Sequence, residues 1–236
     1  MVTVSGTTTE LPGGTAAWAW RLALGAVAGP VLFTIVWVVL GFVSDGYQLW
    51  DQRITGYSPI SQPVSGLGMG ATAPYMNGAF IVNGLLGIAG AIGIASAIPG
   101  LDATRRRAVA ALLGLHGVGS IVDGLFDLEA IMLHLAGFVL ALSPIVTFPI
   151  VARWLRGDAA WERLGSALRI ASPLTLVLAL WYFATFDPVA AGTGAGIAGL
   201  IQRILIGQLQ CWFVALGWTA HRTGRGQRWP AARRAT

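Results

Sequence analysis

The chain has 236 residues, of which 55% are hydrophobic and 11% charged, with a mean hydropathy of +0.69. A soluble domain of this length needs far less apolar surface, so the composition points to a lipid bilayer. The formal charge of +5 and the pI near 10.3 do not imply nucleic acid as a partner, because the basic residues fall between hydrophobic spans, where they serve topology.

All 15 basic residues are arginine, a usage expected of GC-rich coding. Cys211 is the only cysteine, which excludes an intrachain disulfide and a thiolate metal cluster. The first fifteen residues are polar and include Glu10, and the apolar run after them is too long for a signal h-region, so the first span is expected to stay as an anchor.

A spanning helix needs about twenty apolar residues. Six segments qualify in chain order: Ala16 to Val43, Pro74 to Ile98, Ala108 to Phe126, Leu128 to Val151, Leu164 to Phe186, and Gly194 to Ala220. The expected fold class is therefore all-α, a polytopic membrane bundle of six transmembrane helices with both termini cytoplasmic. The expected organisation is a polar segment over 1–15, a transmembrane domain over 16–220 and a basic tail over 221–236. The orientation follows from arginine. Arg105, Arg106 and Arg107 follow span two, Arg153, Arg156, Arg163 and Arg169 surround the loop after span four, and five arginines from Arg222 to Arg234 crowd the tail. All three groups fall on one side, which the positive-inside rule makes cytoplasmic. The expected location is the bacterial inner membrane.

The opposite side is acidic, with Asp45, Asp51, Asp123, Asp127, Glu129 and Asp187 at or near span ends. It also carries the only long outer loop, 44–73. Its aromatic and aliphatic residues suit an interfacial or partly re-entrant segment, and its glycines Gly66, Gly68 and Gly70 equally suit a lid. In span two, Gly84, Gly87, Gly90 and Gly93 recur every third residue, a small-residue stripe expected to pack against other helices of the same chain. Pro144, Pro149 and Pro173 are expected kinks, and Gly46 and Pro188 mark chain reversals.

Ionisable groups inside a bilayer are costly, so each is a site candidate unless shallow enough to reach water. His116, Ser120 and Asp123 fall at i, i+4 and i+7 on one face of span three, with His116 and Asp123 roughly 10 Å apart along the axis. Span four opens with Asp127 and Glu129, which suit helix capping, and carries His134 about two turns further in. An imidazole there needs a partner, and the facing Asp123 is nearest in sequence; a structural histidine joining the hairpin is the plain alternative. Arg203 lies on the side where the chain otherwise avoids arginine. It is expected to pair with Asp123, Glu129, Asp45 or Asp187, or to clamp a lipid phosphate or carboxylate. Gln202, Gln208 and Gln210 add hydrogen-bonding capacity to the same span.

No metal-ligand spacing and no GxSxG, Walker or dinucleotide fingerprint occurs, so neither metal nor cofactor is expected. Asp123, His134 and His116 are thus the candidate catalytic residues. Arg203, Glu129, Asp127, Ser120 and Trp212 are the candidate ligand contacts.

Two stretches carry a family resemblance. YSPISQPVSGLG, before span two, resembles a proline- and serine-containing segment leading into S-x-L-G. The block from Gly119 through His134, GSIVDGLFDLEAIMLH, is similar to a G-x-x-x-G-x-F followed by an acid and a histidine. In both, the chain resembles the integral-membrane family called domain of unknown function 998. That family usually has a proline shortly after the phenylalanine, where Phe126 here is followed by Asp127. The resemblance implies a six-span membrane fold and no settled activity.

Three functions compete on these residues. One is a protein that binds, senses or moves a lipophilic molecule through an outward-facing polar pocket. Another is a membrane enzyme, terpene-cyclase-like or isomerase-like, using a buried acid on a lipid or isoprenoid, with Trp181, Tyr182, Phe183 and Trp212 sheltering positive charge. The third is a structural member of a larger assembly. Membrane lipids and a lipophilic small molecule are the expected partners.

Overall fold

The computed structural model describes residues 19–187 and 191–226. The segment 1–15, the reversal at Pro188 and the tail residues Arg228, Arg233 and Arg234 lie outside them. A 3-10 turn, Ala19–Leu24, leads into α1 (Gly25–Val43). A short hairpin follows, β1 (Gly46–Leu49) and β2 (Gln52–Thr55), then 3-10 turns at Val64–Gly68 and Gly70–Thr72 and the long α2 (Ala73–Ala97). The rest is α3 (Ala103–Leu125), a 3-10 turn Leu128–Ala130, α4 (Ile131–Ala141), α5 (Pro144–Ala152), α6 (Ala159–Thr185) and α7 (Ala198–Gly226). Six of the resulting helical stretches are long and apolar enough to cross a membrane, the fourth being formed by α4 and α5 together.

A helix suits this sequence because lipid offers no partners to backbone N–H and C=O groups, and a helix satisfies them within itself. The spans are apolar nearly all round. Phe42, Ile35, Val39, Val177 and Met132 point outward with large exposed surfaces, as lipid-facing residues should.

Two spans begin earlier than hydropathy suggests. Asp102 caps α3 by accepting the N–H of Arg105 at 2.8 Å, which puts Arg105, Arg106 and Arg107 in the first turns of the helix. Asp158 caps α6 by accepting from Ala160 at 2.7 Å, so Arg163 and Arg169 lie on that helix. Long guanidinium side chains reach past the helix end to water, and the helix outruns its apolar stretch. α7 likewise continues to Gly226, with Arg222 and Arg225 near its C-terminus, where cations complement the dipole.

The glycine stripe on α2 does not stay on one face. Three residues turn a helix by about 300°, so each glycine is rotated some 60° from the last. Gly84 faces Gly117 of α3, whereas Gly90 faces Ala26 of α1 and Gly93 faces Ala23 in the 3-10 turn before it. The stripe therefore lets α2 approach two different neighbours. α2 packs on α1, α3 and α7, α4 leans on α3, and α6 packs between α5 and α7.

Pro144 splits the fourth span into α4 and α5, while Pro30, Pro149 and Pro173 sit inside continuous helices. The main core gathers Trp161, Phe148, Leu168, Leu205 and Leu216 among others.

The long loop is largely folded onto the bundle. Tyr47, Leu49 and Ile54 of the hairpin bury against Met69 and Leu128 in a small core of their own, leaving Trp50 and Ile60 exposed. Residues 61–69 are buried without interruption, and Val64 and Leu67 pack with Phe33, Met76 and Phe80 from α1 and α2. The loop thus dips back between the helices and roofs the space beneath.

Candidate functional site

The face of α3 predicted to carry His116, Ser120 and Asp123 lines an internal cavity. The cavity is narrow, about 50 Å³, room for a few waters or the end of a slender ligand. His134, Asn83, Gln202 and Gln210 supply its other polar lining, with Val64 and Ser65 of the loop above and Phe33, Phe80 and Phe138 around it.

Close approach of α3 and α4 creates the polar corner. A Cβ on Gly137 would collide with the Asp123 carboxylate, and one on Gly119 would strike the backbone of Ala141. With both positions bare, His134 Nδ1 comes to 3.9 Å from Asp123 Oδ1. That is ion-pair range but not a hydrogen bond. The Nδ1 bond goes instead to the Phe126 carbonyl, at 2.8 Å. Phe126 is the C-cap of α3, beyond the last helical turn, where carbonyls lack an intrahelical donor.

His116 is held by the same kind of opportunity. Its Nδ1 lies 2.6 Å from the Ala141 carbonyl. Ala141 ends α4, and the N–H of Ile145, which would serve that carbonyl in a continuous helix, bonds Leu142 instead at 3.0 Å. The break before Pro144 frees the acceptor that His116 uses. Its ring stacks on Phe213 of α7, centroids 4.5 Å apart. Ser120 donates to the Phe80 carbonyl at 2.8 Å and accepts from Asn83 Nδ2 at 3.1 Å, tying α3 to α2.

Asp123 is the exception among these groups. It is 4% exposed, its Oδ1 is fully enclosed, and no donor among the described residues reaches it. A buried acceptor left in that state costs about 1–3 kcal/mol. The two histidines, in contrast, each spend one nitrogen on a carbonyl, and both line the cavity.

A second space, about 210 Å³, adjoins the first and shares Ser65, His134, Phe138 and Gln202 with it. It lies between α4 and α6 and is almost wholly apolar, with Leu135, Tyr182, Phe183 and Phe186 on its walls. Leu135 and Phe183 are exposed on the lipid-facing surface, so the groove opens sideways into the bilayer. Gln202 spans the junction: its Oε1 accepts the N–H of Val64 at 2.7 Å, and its Nε2 lies 3.4 Å from the Tyr182 hydroxyl.

Several expected contacts lie elsewhere. Arg203 has no carboxylate within ion-pair distance among the described residues. Its guanidinium donates to the carbonyls of Pro59 at 2.7 Å, Gln62 at 2.9 Å and Gly199 at 2.9 Å, and to the Tyr57 hydroxyl, and it lies over the Trp37 and Tyr57 rings. Loop carbonyls outside regular structure need donors, and a five-donor fork satisfies several at once. Arg203 is therefore a fastener of the loop, and it does not line the cavity.

Asp127 caps the turn at the start of span four by accepting from Glu129 N–H at 3.0 Å, and Glu129 is exposed. Neither lines the cavity. Trp212 donates to Gln208 at 3.1 Å, which in turn donates to Thr175 at 2.8 Å, a link between α7 and α6 away from the site. Trp181 faces outward and is 48% exposed. Asn83 and the loop residues Val64 and Ser65 belong to the site but escape a sequence reading. Asn83 has a legible signal, an amide inside a span, which the glycine stripe around it obscures. The loop residues have none. Among the described residues no three metal-ligating side chains converge.

A family model described as protein of unknown function (DUF998) matches residues 53–219. The chain belongs to this family. The matched stretch runs from β2 into α7 and contains Asp123, His116, His134, Ser120, Asn83, Gln202 and the loop roof; only Phe33 among the cavity residues lies before it. No curated protein and no solved structure matches the chain.

Proposed function

We propose that this multi-pass membrane protein binds a lipophilic molecule, its tail in the aromatic groove between α4 and α6 and its polar head in the cavity beside Asp123. The observation that carries this reading is the Asp123 carboxylate, whose enclosed Oδ1 has no donor among the described residues, on the wall of a cavity that shares His134 and Gln202 with the apolar groove. A hydroxyl- or amine-bearing head would supply the missing donor, and His134, shared by both spaces, would sit where head meets tail. The arginine-rich loops and both termini face the cytoplasm of a bacterial inner membrane in this proposal, and the cavity lies toward the outer leaflet. The polar segment 1–15 and the basic tail 221–236 flank the transmembrane domain 16–220.

A long-chain alcohol carrying a diazirine tests the proposal in lipid nanodiscs. Photolabelling is expected to concentrate on Leu135, Phe138 and Phe183. Labelling spread evenly over outward residues such as Ile35 and Val177 would reject it.

The enzyme reading uses the same acid. It draws support from the pairing of Asp123 with His134 at 3.9 Å, since two titratable groups beside a cavity are the ordinary parts of acid–base chemistry. It gains nothing from Trp181 and Trp212, which lie outside both spaces. Binding is the reading with fewer requirements.

A further inference from the structure

The opposite end of the bundle holds a second feature, independent of the cavity. The α2–α3 turn and the segment joining α5 to α6 enclose an open cleft of about 490 Å³, with Pro99, Gly100, Arg105, Arg153, Trp154 and Arg156 on its walls. Three guanidinium groups from two separate parts of the chain converge there. The positive-inside rule asks only that arginines lie on one side of the membrane, and it does not ask them to meet.

Two of the nearby acids, Asp102 and Asp158, are engaged, while Glu162 in the first turn of α6 is exposed. Asp102 caps α3 and lies 3.5 Å from Arg105, and Asp158 caps α6. Arg106 turns back to donate to the Leu101 carbonyl at 3.3 Å, fastening the turn. Arg153 and Arg156 are exposed and have no ion-pair partner among the described residues. α3 and α6 both begin at this end, so their N-terminal dipoles add to the positive potential. Gly100 and Gly157 make the bends that bring the two segments together, with φ of 71° and 84°.

We propose that this cleft binds the phosphate of an anionic phospholipid headgroup. Phosphate matches the chemistry, because a planar guanidinium offers parallel donors to two phosphate oxygens and three such groups surround one space. A lipid is the source that fits the place. The cleft sits where the apolar spans end, with the half-buried Trp154 ring and Pro99 beside it, at the depth of headgroups.

The test uses the full chain in detergent, with native mass spectrometry of retained phosphatidylglycerol and phosphatidylcholine and equilibrium dialysis of inorganic phosphate. Wild type is expected to retain phosphatidylglycerol selectively. R153Q/R156Q is expected to weaken that retention about twenty-five-fold, since each arginine near an anionic headgroup contributes a factor of about five. R222Q/R225Q removes the same charge outside the cleft and is expected to change retention less than about twofold, a result general attraction does not give. R153K/R156K keeps the charge and loses the fork, and is expected to fall between. Equal loss in the two glutamine pairs, or retention unchanged in R153Q/R156Q, overturns the proposal. Phosphate binding without phosphatidylglycerol retention overturns the lipid assignment. A folded state in each variant is checked by gel filtration and circular dichroism.

Discussion

His134 Nδ1 stands 3.9 Å from the Asp123 carboxylate yet gives its hydrogen bond to the Phe126 carbonyl, 2.8 Å away. The histidine is thereby fixed by backbone, and the acid is left without a donor. The expected pairing of the two residues thus brings them together in space without making either one's hydrogen bond.

This arrangement sets an expectation for Asp123→Asn. A carboxylate that held the fold through a hydrogen bond would cost about 1.5–3 kcal/mol on removal. Because Asp123 has no such bond, Asp123→Asn is expected to unfold within a few degrees of wild type in a thermal scan followed by tryptophan fluorescence. Photolabelling of the α4–α6 groove by the long-chain alcohol is expected to fall several-fold in the same variant. A large drop in stability with labelling unchanged would make Asp123 structural.

Arg203 fastens the loop by three hydrogen bonds, to the carbonyls of Pro59 and Gln62 and to the Tyr57 hydroxyl, and makes a fourth to Gly199 of its own helix. Arg203→Met keeps much of the stem and removes all of these bonds, and charged hydrogen bonds of this kind are worth about 1.5–3 kcal/mol each in exchange with water. Amide exchange in residues 57–69 is expected to rise at least about tenfold, while α2 and α3 stay protected. Uniform loosening of the whole bundle would instead show that Arg203 supports global packing.

Alkaline titration reports on the same loop. Burial, with a smaller contribution from nearby Tyr57, pushes Tyr47 up from 10.0 to about 12. Burial also raises Tyr57, against the opposing charge and hydrogen bond of Arg203. Between the unfolded and folded values the native loop holds protons that the unfolded chain has released, so the loop's stability falls as pH rises through that window and is fully present below it. Absorbance at the tyrosinate band is expected to show a late component near pH 12 that Tyr47→Phe removes. Titration of that component together with a free tyrosine would mean the hairpin core is open in solution.

Glycine substitutions separate close approach from helix propensity. A Cβ on Gly137 collides with Asp123 and Val122, and one on Gly119 with Ala141 and Gly137, so either alanine is expected to push α3 from α4 and cost about 1–3 kcal/mol. Gly207, inside α7, has nothing within 4 Å of its Cβ position, and Gly207→Ala is expected to stabilise by about 0.5–1 kcal/mol. Thermal scans of the three variants check the signs, and destabilisation by Gly207→Ala would contradict the helix geometry.

Six runs of apolar residues were sufficient, without any coordinate, to determine the number of spans, because lipid imposes a length and a polarity that sequence displays directly. The shared face of His116, Ser120 and Asp123 was legible for a similar reason, since helical spacing alone fixes which residues align. Only the tertiary structure decided where the hydrogen bonds go. Ala141 became an acceptor for His116 because a proline break freed its carbonyl, Arg203 found loop carbonyls in place of an acid, and residues 61–69 became the roof of the cavity. Each of these depends on which backbone groups are left unpaired once the helices have packed, and that remainder has no period or composition by which a sequence could announce it.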